Sequence, residues 1–290
     1  MQTLTESYEM DISGREIGIS DSEFEMIRTY IYDKAGINLT EQKKSLVLSR
    51  LKNLVRDLGA GRFKNYYNHV INDKTGAALS EMVDRISTNH TYFYRENEHF
   101  DFFAQTALPE IEKFIRSKGS NDLRIWCAAS STGEEPYTLA MLMLEYFGDK
   151  YKNFDAGILA TDISSRALTK ATTGVYSDNT ISKLPEKYKS KYFNKLDNGM
   201  WAVNEKVKRE VTYRRFNLMD NLPFKKPFHI IFCRNVMIYF DQKTRNTLIN
   251  RFFDATEKFG YLFVGHSESL GRNLENYTNV SPAIYRKGEL

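Results

Sequence analysis

The 290-residue sequence has only two cysteines and no apolar run near the length of a membrane-spanning helix. Such a helix needs roughly 20 consecutive apolar residues, so we expect no insertion into a membrane. The first residues, MQTLTESYEMDIS, lack the basic segment and apolar stretch that are typical of a secretory signal. We predict a disordered lead over residues 1–19 and a cytoplasmic protein.

The positions of the cysteines and of two histidines also argue against a metal centre. Cys127 and Cys233 both fall in predicted buried strands, where we expect them to be small core residues and not a disulfide or metal pair. His99 and His266 have no second ligand at a useful sequence spacing. The sequence therefore predicts no metal site.

Strong net charge is absent from the whole chain, at +4 at pH 7, but basic residues cluster between positions 41 and 64. Seven lysines or arginines face two acids there: Lys43, Lys44, Arg50, Lys52, Arg56, Arg62 and Lys64 against Glu41 and Asp57. The excess predicts an acidic partner, protein or nucleic acid, and the alternative is a solvated helix face. Stacking aromatics do not alternate with these charges, so nucleic acid is not favoured.

Residues 20–88 are predicted to form a helical N-terminal domain. Ser20 and Glu23 have the spacing of a capping box, and Thr40 is expected to cap the next helix. Two shorter helices are expected near residues 64–71 and 77–87.

Residues 89–290 are predicted to form a second domain. From Leu123 the sequence alternates between strand and helix patterns, which favours a mainly parallel sheet covered on both faces. The predicted strands are 124–129, 156–162, 211–217, 228–234, 260–266 and 282–287, and the predicted helices are 134–147, 164–173 and 241–258. A small antiparallel β insert is expected at about 176–213. Its hairpin turns at Asp197-Asn198-Gly199, and the residues predicted to share one face after that turn are Trp201, Val203, Val207, Val211 and Tyr213.

The segment RIWCAASSTGEEPYTLA, residues 124–140, has the pattern of a strand, a tight turn and a helix, and a second strand ends at Asp162. This layout holds an adenosyl ligand at the carboxyl edge of a parallel sheet. The turn has one glycine, Gly133, where a dinucleotide fingerprint has three. Glu134 and Glu135 would repel a phosphate at the helix start, so a ligand with hydroxyls and a cationic end, such as S-adenosylmethionine, fits better. Alternatively, the two acids only complement the helix dipole.

Five segments in this order resemble the chemotaxis-receptor glutamate O-methyltransferases, the CheR family: TNHTYFYRENEHF, CAASSTGEEPYTLAM, ILATDIS, FCRNVMIYFD and LFVGHSESL. The resemblance spans about residues 20–287. It implies an α/β fold, in which a Rossmann-like S-adenosylmethionine-dependent methyltransferase domain carries the β insert and follows an all-α N-terminal domain. It also implies S-adenosylmethionine as cofactor and S-adenosylhomocysteine as product.

The resemblance assigns roles to individual positions. Residues that match the cofactor-binding positions are Asn89, Thr91, Arg95, Glu134, Asp162, Asn217, Leu218, Arg234 and Asn235. Arg95 and Tyr239 match the positions nearest the transferred methyl group and the acceptor carboxylate. Each has an alternative: Arg95 in a surface ion pair with Glu96, Tyr239 as a core aromatic, and Asn235 as the cap of a turn.

The resemblance implies that the chain forms methyl esters on glutamates of chemoreceptor cytoplasmic helices. The basic helix around Lys43–Arg56 would dock on that acidic bundle, and we expect a monomer. Two other interpretations stay open at this point. The chain could bind S-adenosylmethionine as a sensor without turnover, or it could methylate another acceptor, such as RNA or a small molecule.

Overall fold

The computed structural model describes residues 17–88, 90–270 and 277–288. The chain divides into two compact units, Met1–Thr88 and Asn89–Leu290. In the described residues, no helix is both long and apolar enough to cross a membrane.

In its described residues, 17–88, the N-terminal unit contains four α-helices: α1 (Asp21–Ala35), α2 (Lys44–Asp57), α3 (Phe63–Asn72) and α4 (Ala77–Ile86). The predicted capping box is present, because the Ser20 hydroxyl accepts from the Glu23 amide and the Glu23 carboxylate accepts from the Ser20 amide. Ile27, Val47 and Leu51 are fully buried, as the helical spacing of apolar residues requires.

Two details of this unit differ from the sequence-based expectation. Thr40 makes no side-chain capping bond, and a 3-10 turn over Glu41–Lys43 precedes α2 instead. Ile17 and Ile19 are buried, so the predicted disordered lead does not include them. The remainder of that prediction, over residues 1–16, lies outside the described residues.

The C-terminal unit follows the predicted alternation of strands and helices. Its strands are β1 (Asp122–Cys127), β2 (Asp155–Asp162), β3 (Val175–Tyr176), β4 (Phe193–Lys195), β5 (Trp201–Val203), β6 (Val211–Arg215), β7 (Phe228–Cys233), β8 (Thr256–Val264), β9 (Tyr277–Ser281) and β10 (Ile284–Lys287). Its helices are α5 (Asn97–Phe102), α6 (Leu108–Ser117), α7 (Glu134–Phe147), α8 (Ser165–Thr173), α9 (Asp178–Ile181), α10 (Glu186–Tyr192), α11 (Glu205–Lys208) and α12 (Gln242–Ala255).

Seven strands form the main sheet in the order β6-β2-β1-β7-β8-β10-β9. The first five strands in that order are parallel, and β10 pairs antiparallel with both β8 and β9. Parallel strands end at one edge of a sheet, so the loops after β6, β2, β1 and β7 are neighbours.

Alternate side chains of the central strands pack into two buried clusters. Ile125 and Cys127 belong to one cluster and Trp126 belongs to the other, together with Cys233. Both cysteines are free and fully buried, which confirms the prediction that they are core residues.

The β insert is a three-stranded antiparallel sheet in the order β3-β5-β4. Its hairpin turns as predicted, because the Leu196 amide donates to the Met200 carbonyl at 2.8 Å. The predicted common face of the insert is wrong beyond residue 203. Val207 lies in α11, and Val211 and Tyr213 lie in β6, where pairing with β2 draws them into the main sheet.

Two boundaries near the C-terminal end of the chain also differ. The predicted helix 241–258 ends at Ala255, because Thr256 already pairs with Phe228 in the main sheet. Strand β9 was not predicted, since its sequence, YTNVS, has little apolar character. Strand β9 forms one edge of the sheet through its pairing with β10.

Candidate active site

The loop after β1, residues 128–133, is the centre of the site, and we call it the cofactor turn. Backbone hydrogen bonds tie it to both neighbouring strands: the Ala128 amide donates to the Phe232 carbonyl at 2.7 Å, and the Ser130 amide to the Thr161 carbonyl at 2.9 Å. Ser131 (φ +46°) and Gly133 (φ +97°) both adopt left-handed backbone conformations. A non-glycine residue stays in that region only when surrounding contacts hold it there.

Asp162 supplies one of those contacts from the end of β2. Its Oδ2 accepts from the Ser131 amide at 2.8 Å, and its Oδ1 accepts from the Ser164 amide at 2.9 Å. A carboxylate can accept about four hydrogen bonds. The two that it accepts from backbone amides are therefore compatible with hydrogen bonds from ligand hydroxyls. The predicted ribose-binding acid thus lies beside the cofactor turn, oriented by backbone groups.

Glu134 is the first residue of α7 and is 1% exposed. Burial raises the pKa of its carboxyl, and hydrogen bonds from the Thr132 hydroxyl, at 2.7 and 2.9 Å, partly offset that rise. A buried acid at a helix start favours a cationic ligand group over a phosphate.

Arg234 follows β7, and its side chain is only 2% exposed. Its guanidinium forms ion pairs with Glu135, at 2.7 Å, and with Glu96, at 3.0 Å, and it also donates to the Arg95 carbonyl. The Cys127 thiol donates to the other oxygen of Glu135, at 2.9 Å. Arg234, which the resemblance places near the ligand, is therefore also the centre of a buried ion-pair network.

Asn235 has a left-handed backbone, at φ +58°, and its side-chain amide donates to Glu96 at 3.1 Å. Glu268, 3% exposed, accepts from the backbone amides of Asn235, Gly265 and Ile238. These bonds fix the start of the segment that leads to Tyr239. The contact between the Asn235 side chain and Glu96 does not support the alternative role, in which Asn235 caps a turn.

Tyr239 ends a 3-10 turn over Met237–Tyr239 and is half-buried, while its neighbour Ile238 is 43% exposed. Arg95 is also half-buried and donates from Nη1 to the His90 carbonyl at 2.5 Å. In the described part of the chain, Arg95 forms no ion pair, and the predicted alternative partner Glu96 pairs with Arg234 instead.

The loop after β6 joins the same edge of the sheet, because the Phe216 amide donates to the Asp162 carbonyl at 3.0 Å. Asn217 closes a turn by accepting from the Met219 amide at 3.1 Å. Leu218 is 8% exposed and packs in the cluster around Trp126.

Two further predicted positions show fewer contacts. Thr91 is half-buried, and it forms no hydrogen bond with another described residue. Asn89 lies outside the described residues. Both residues remain predictions as cofactor ligands.

Sequence reasoning missed the acidic residues that surround Arg234. Glu96 and Glu135 are adjacent to predicted site residues, but no local pattern indicates a pairing across 138 or 99 positions of sequence. Glu268 was missed for the same reason, since two of its amide donors, Ile238 and Asn235, lie 30 and 33 positions away, before β8 in the chain.

The structure also corrects the view of the two histidines. His99 and His266 lie with Glu96 so that one potential ligand atom from each falls within 4.8 Å of the others. Glu96 is already bound by Arg234 and Asn235, and that guanidinium opposes a second cation. Burial, reinforced by Arg234, lowers the pKa of His99 to about 4. We assign no metal to this cluster.

Comparison with known proteins identifies the family. The family model described as CheR methyltransferase, SAM binding domain, matches residues 89–285, and the CheR methyltransferase all-alpha domain matches residues 22–87. The chain belongs to the CheR methyltransferase family. It shares 44% identity with the chemotaxis protein methyltransferase of Borreliella burgdorferi, over 93% of this chain and 96% of that protein.

Other CheR relatives are similar over nearly as much of the chain. Identity is 38% with the probable chemotaxis protein methyltransferase of Rhizobium etli (88% of this chain, 96% of that protein). It is 32% with the chemotaxis protein methyltransferase of Escherichia coli (93% and 92%). Among solved structures, the methyltransferase domain of bacterial CtHen1-C matches at TM-score 0.30 and 16% identity, over 55% of this chain and 64% of that one, which is too weak to support an argument.

The chain is thus an S-adenosylmethionine-dependent methyltransferase of chemotaxis, with the predicted Rossmann-like α/β fold, β insert and all-α N-terminal region. The site suits this cofactor, which carries hydroxyls, an ammonium and a sulfonium but no phosphate. Asp162 ends β2, Glu134 begins α7, and a single glycine closes the turn between β1 and α7.

Proposed function

We propose that this CheR protein methylates glutamate side-chain carboxylates of chemoreceptor cytoplasmic helices and forms methyl esters. The observation that carries the proposal is the contrast between two arginines. Arg234 is buried and neutralised by Glu96 and Glu135, whereas Arg95 is half-buried and has no acidic partner in the described residues. A planar guanidinium without an acid beside it suits an incoming carboxylate.

The proposed reaction requires no general base from the protein. S-Adenosylmethionine supplies a methyl group on a sulfonium. A glutamate acceptor is already ionised near pH 7, so no residue has to remove a proton from it. The work left to Arg95 and Tyr239 is to hold the carboxylate in line with the methyl group, and such positioning is worth roughly 7–11 kcal/mol in favourable cases.

Exclusion of water would further favour the reaction. A carboxylate and a sulfonium neutralise each other as the transition state forms, and their attraction is screened less in a dry cleft. Arg234 adds no net positive charge to that cleft, since Glu96 and Glu135 both pair with it.

We propose helix α2 as the receptor-docking element, within the basic stretch Lys43–Arg56. Arg50 is excluded from a direct role, because it donates to the carbonyls of Arg85 and Ser87 at 3.1 Å. Lys52 lies on the same helix, half-exposed, and Leu46 is 37% exposed. An acidic receptor helix pair would complement the positive charge of this stretch, and esterification would then reduce the repulsion between its packed helices. We expect the enzyme to act as a cytoplasmic monomer.

The test is transfer of labelled methyl from S-adenosylmethionine to chemoreceptor-containing membranes, followed by treatment with base. Label released as volatile methanol supports a carboxyl methyl ester. Label that resists base, or cofactor binding without transfer, contradicts the proposal and favours another acceptor or a sensor without turnover. Membranes whose receptors carry glutamine at the candidate glutamates should accept no label.

Docking is tested separately with Lys43→Glu/Lys52→Glu. This double variant should methylate receptors more slowly and still bind S-adenosylhomocysteine normally. The matched control is Lys113→Glu/Lys118→Glu, which makes the same charge change on and just after α6, in the C-terminal unit. An equal loss of methylation in both variants would contradict a docking role for α2.

A further inference from the structure

The cofactor turn is held on two sides by different parts of the fold. From the main sheet, Thr161 and Asp162 accept from the amides of Ser130 and Ser131. On the other side lies Tyr176, the last residue of β3 in the β insert.

The hydroxyl of Tyr176 donates to the Thr132 carbonyl at 2.6 Å. Tyr176 is fully buried, and its hydroxyl is so close to Gly133 that a β-carbon there would lie 2.8 Å from it. The hydroxyl of Thr132 in turn donates to both carboxylate oxygens of Glu134, at 2.9 and 2.7 Å. The insert is therefore joined to the acid at the start of α7 through one residue.

We propose that Tyr176 is a positioning residue for cofactor binding. Its hydroxyl holds the Thr132 peptide so that the Thr132 side chain stays aligned with the carboxyl group of Glu134. This proposal concerns the cofactor site alone and does not depend on the identity of the methyl acceptor.

The ring of Tyr176 makes packing contacts that do not involve its hydroxyl, so positioning by the hydroxyl can be tested separately from packing. Phe93 meets the Tyr176 ring edge-on at 5.0 Å between centroids, and Tyr137 does so at 6.4 Å. A phenylalanine at position 176 keeps these contacts and loses only the bond to Thr132. Burial raises the pKa of Tyr176 well above its ordinary value, so the hydroxyl remains a donor at working pH.

The position of Tyr176 also makes the insert part of the cofactor site. Tyr176 pairs with Trp201 of β5, the central strand of the insert. A change in the insert sheet that moves β3 would therefore move the Thr132 peptide as well.

The test compares Tyr176→Phe with Tyr137→Phe by calorimetric titration of S-adenosylhomocysteine across pH. Tyr137 is the matched control, because its buried hydroxyl donates to the Ala171 carbonyl at 2.7 Å and not to the cofactor turn. Tyr176→Phe should weaken binding about fivefold, the equivalent of one net hydrogen bond. Tyr137→Phe should change affinity less than about twofold, within the usual spread for a change remote from the ligand.

The pH dependence tests the route through Thr132. A cationic ligand needs Glu134 ionised, and loss of an aligned donor raises the pKa of Glu134 further. The acid limb of the binding curve should therefore move to higher pH in Tyr176→Phe and in Thr132→Val, and the double variant should move no further than Thr132→Val alone. Wild-type binding and pH profile in Tyr176→Phe, equal losses in both tyrosine variants, or fully additive shifts would each overturn the proposal.

Discussion

Arg234 Nη1 lies 2.7 Å from Glu135 Oε2, and this buried ion pair joins the end of β7 to the first turn of α7. The two elements border the cofactor turn, so its geometry depends on charge pairing as well as on apolar packing. Because Glu96 also pairs with Arg234, the segment that carries Arg95 is tied to the same network.

We first predict that Arg234→Ala lowers the free energy of unfolding by about 3–5 kcal/mol, because Glu96 and Glu135, whose side chains are only 16% and 14% exposed, would lose their counter-charge. Urea denaturation at neutral pH measures this change. The control is Arg116→Ala, which breaks an ion pair with Glu112 at 2.7 Å whose arginine side chain is 53% exposed. Such surface pairs contribute about 0–1 kcal/mol. Equal losses in the two variants would show that the Arg234 network is not the stabilising feature.

The sequence was sufficient to predict the fold class because the central strands β1, β2, β7 and β8 each contain an apolar run and the predicted crossover helices have clear starts. Asp162 and Glu134 could be predicted as members of one site because β2 ends at Asp162, Glu134 begins the helix after β1, and β1 and β2 are parallel neighbours in one sheet. In contrast, the partners of Arg234 come from distant parts of the chain. Which acid pairs with an arginine depends on three-dimensional packing that local pattern does not encode.

Boundaries failed where tertiary pairing decided them. Thr256 ends α12 because it pairs with Phe228, and β9 exists only as a partner of β10. Tyr213 looked like part of the insert because it continues an alternating pattern, yet it pairs with Ala160 in the main sheet. The role of Tyr176 could not be predicted for a related reason, since its hydrogen-bond partner Thr132 lies 44 positions away in the sequence.

Our second prediction concerns Gly133→Ala, which should destabilise the fold and weaken binding of S-adenosylhomocysteine. An added β-carbon would lie 2.8 Å from the Tyr176 hydroxyl and 2.9 Å from both the Ala171 β-carbon and the Tyr213 hydroxyl. It would also strain a backbone at φ +97°. We expect a loss of about 2–4 kcal/mol in unfolding free energy, as strain and overpacking combine.

Gly199→Ala provides the matched control for that substitution. Gly199 has φ +78° at the hairpin tip, and nothing lies within 4 Å of an added β-carbon. This variant should lose only the backbone component, about 1 kcal/mol, and keep its cofactor affinity. If Gly133→Ala were no worse than Gly199→Ala, crowding by the two tyrosines would not constrain the turn.

The third prediction uses the pKa of Glu134, which burial raises above the ordinary value of 4.5. A raised pKa means that the folded chain binds the proton more tightly than the unfolded chain. The carboxyl therefore contributes stability below pH 4.5, and that contribution is lost as pH rises through the folded pKa. Glu134→Gln should raise the unfolding free energy of the ligand-free protein at neutral pH. It should weaken S-adenosylhomocysteine binding by about 1.5–3 kcal/mol, the worth of a charged hydrogen bond.

Glu145→Gln, on the same helix, should show the opposite effect on stability. Burial alone would raise the pKa of Glu145, but hydrogen bonds from Lys191 and Tyr192 lower it below its ordinary value. Its contribution is present at neutral pH and lost as pH falls, so the glutamine variant should be less stable at pH 7. Thermal denaturation of both variants from pH 4 to pH 8 measures the two signs. Equal signs would contradict the assigned environment of Glu134.

The last prediction addresses Arg95, the residue proposed to orient the acceptor carboxylate. Arg95→Ala should lower kcat/KM for receptor methylation by about 1.5–3 kcal/mol of transition-state stabilisation, because a charged hydrogen-bonding group is lost. Arg95→Lys should recover little of this loss, since an ammonium cannot reproduce the planar fork. Arg116→Ala, the surface control, should keep the wild-type rate. Arg95 forms no ion pair within the described residues, so its removal leaves no acidic side chain there without its partner. The unfolding free energy should therefore stay within about 0.5 kcal/mol of wild type. A wild-type catalytic rate in Arg95→Ala would exclude this residue from the reaction and leave Tyr239 as the candidate for orienting the acceptor.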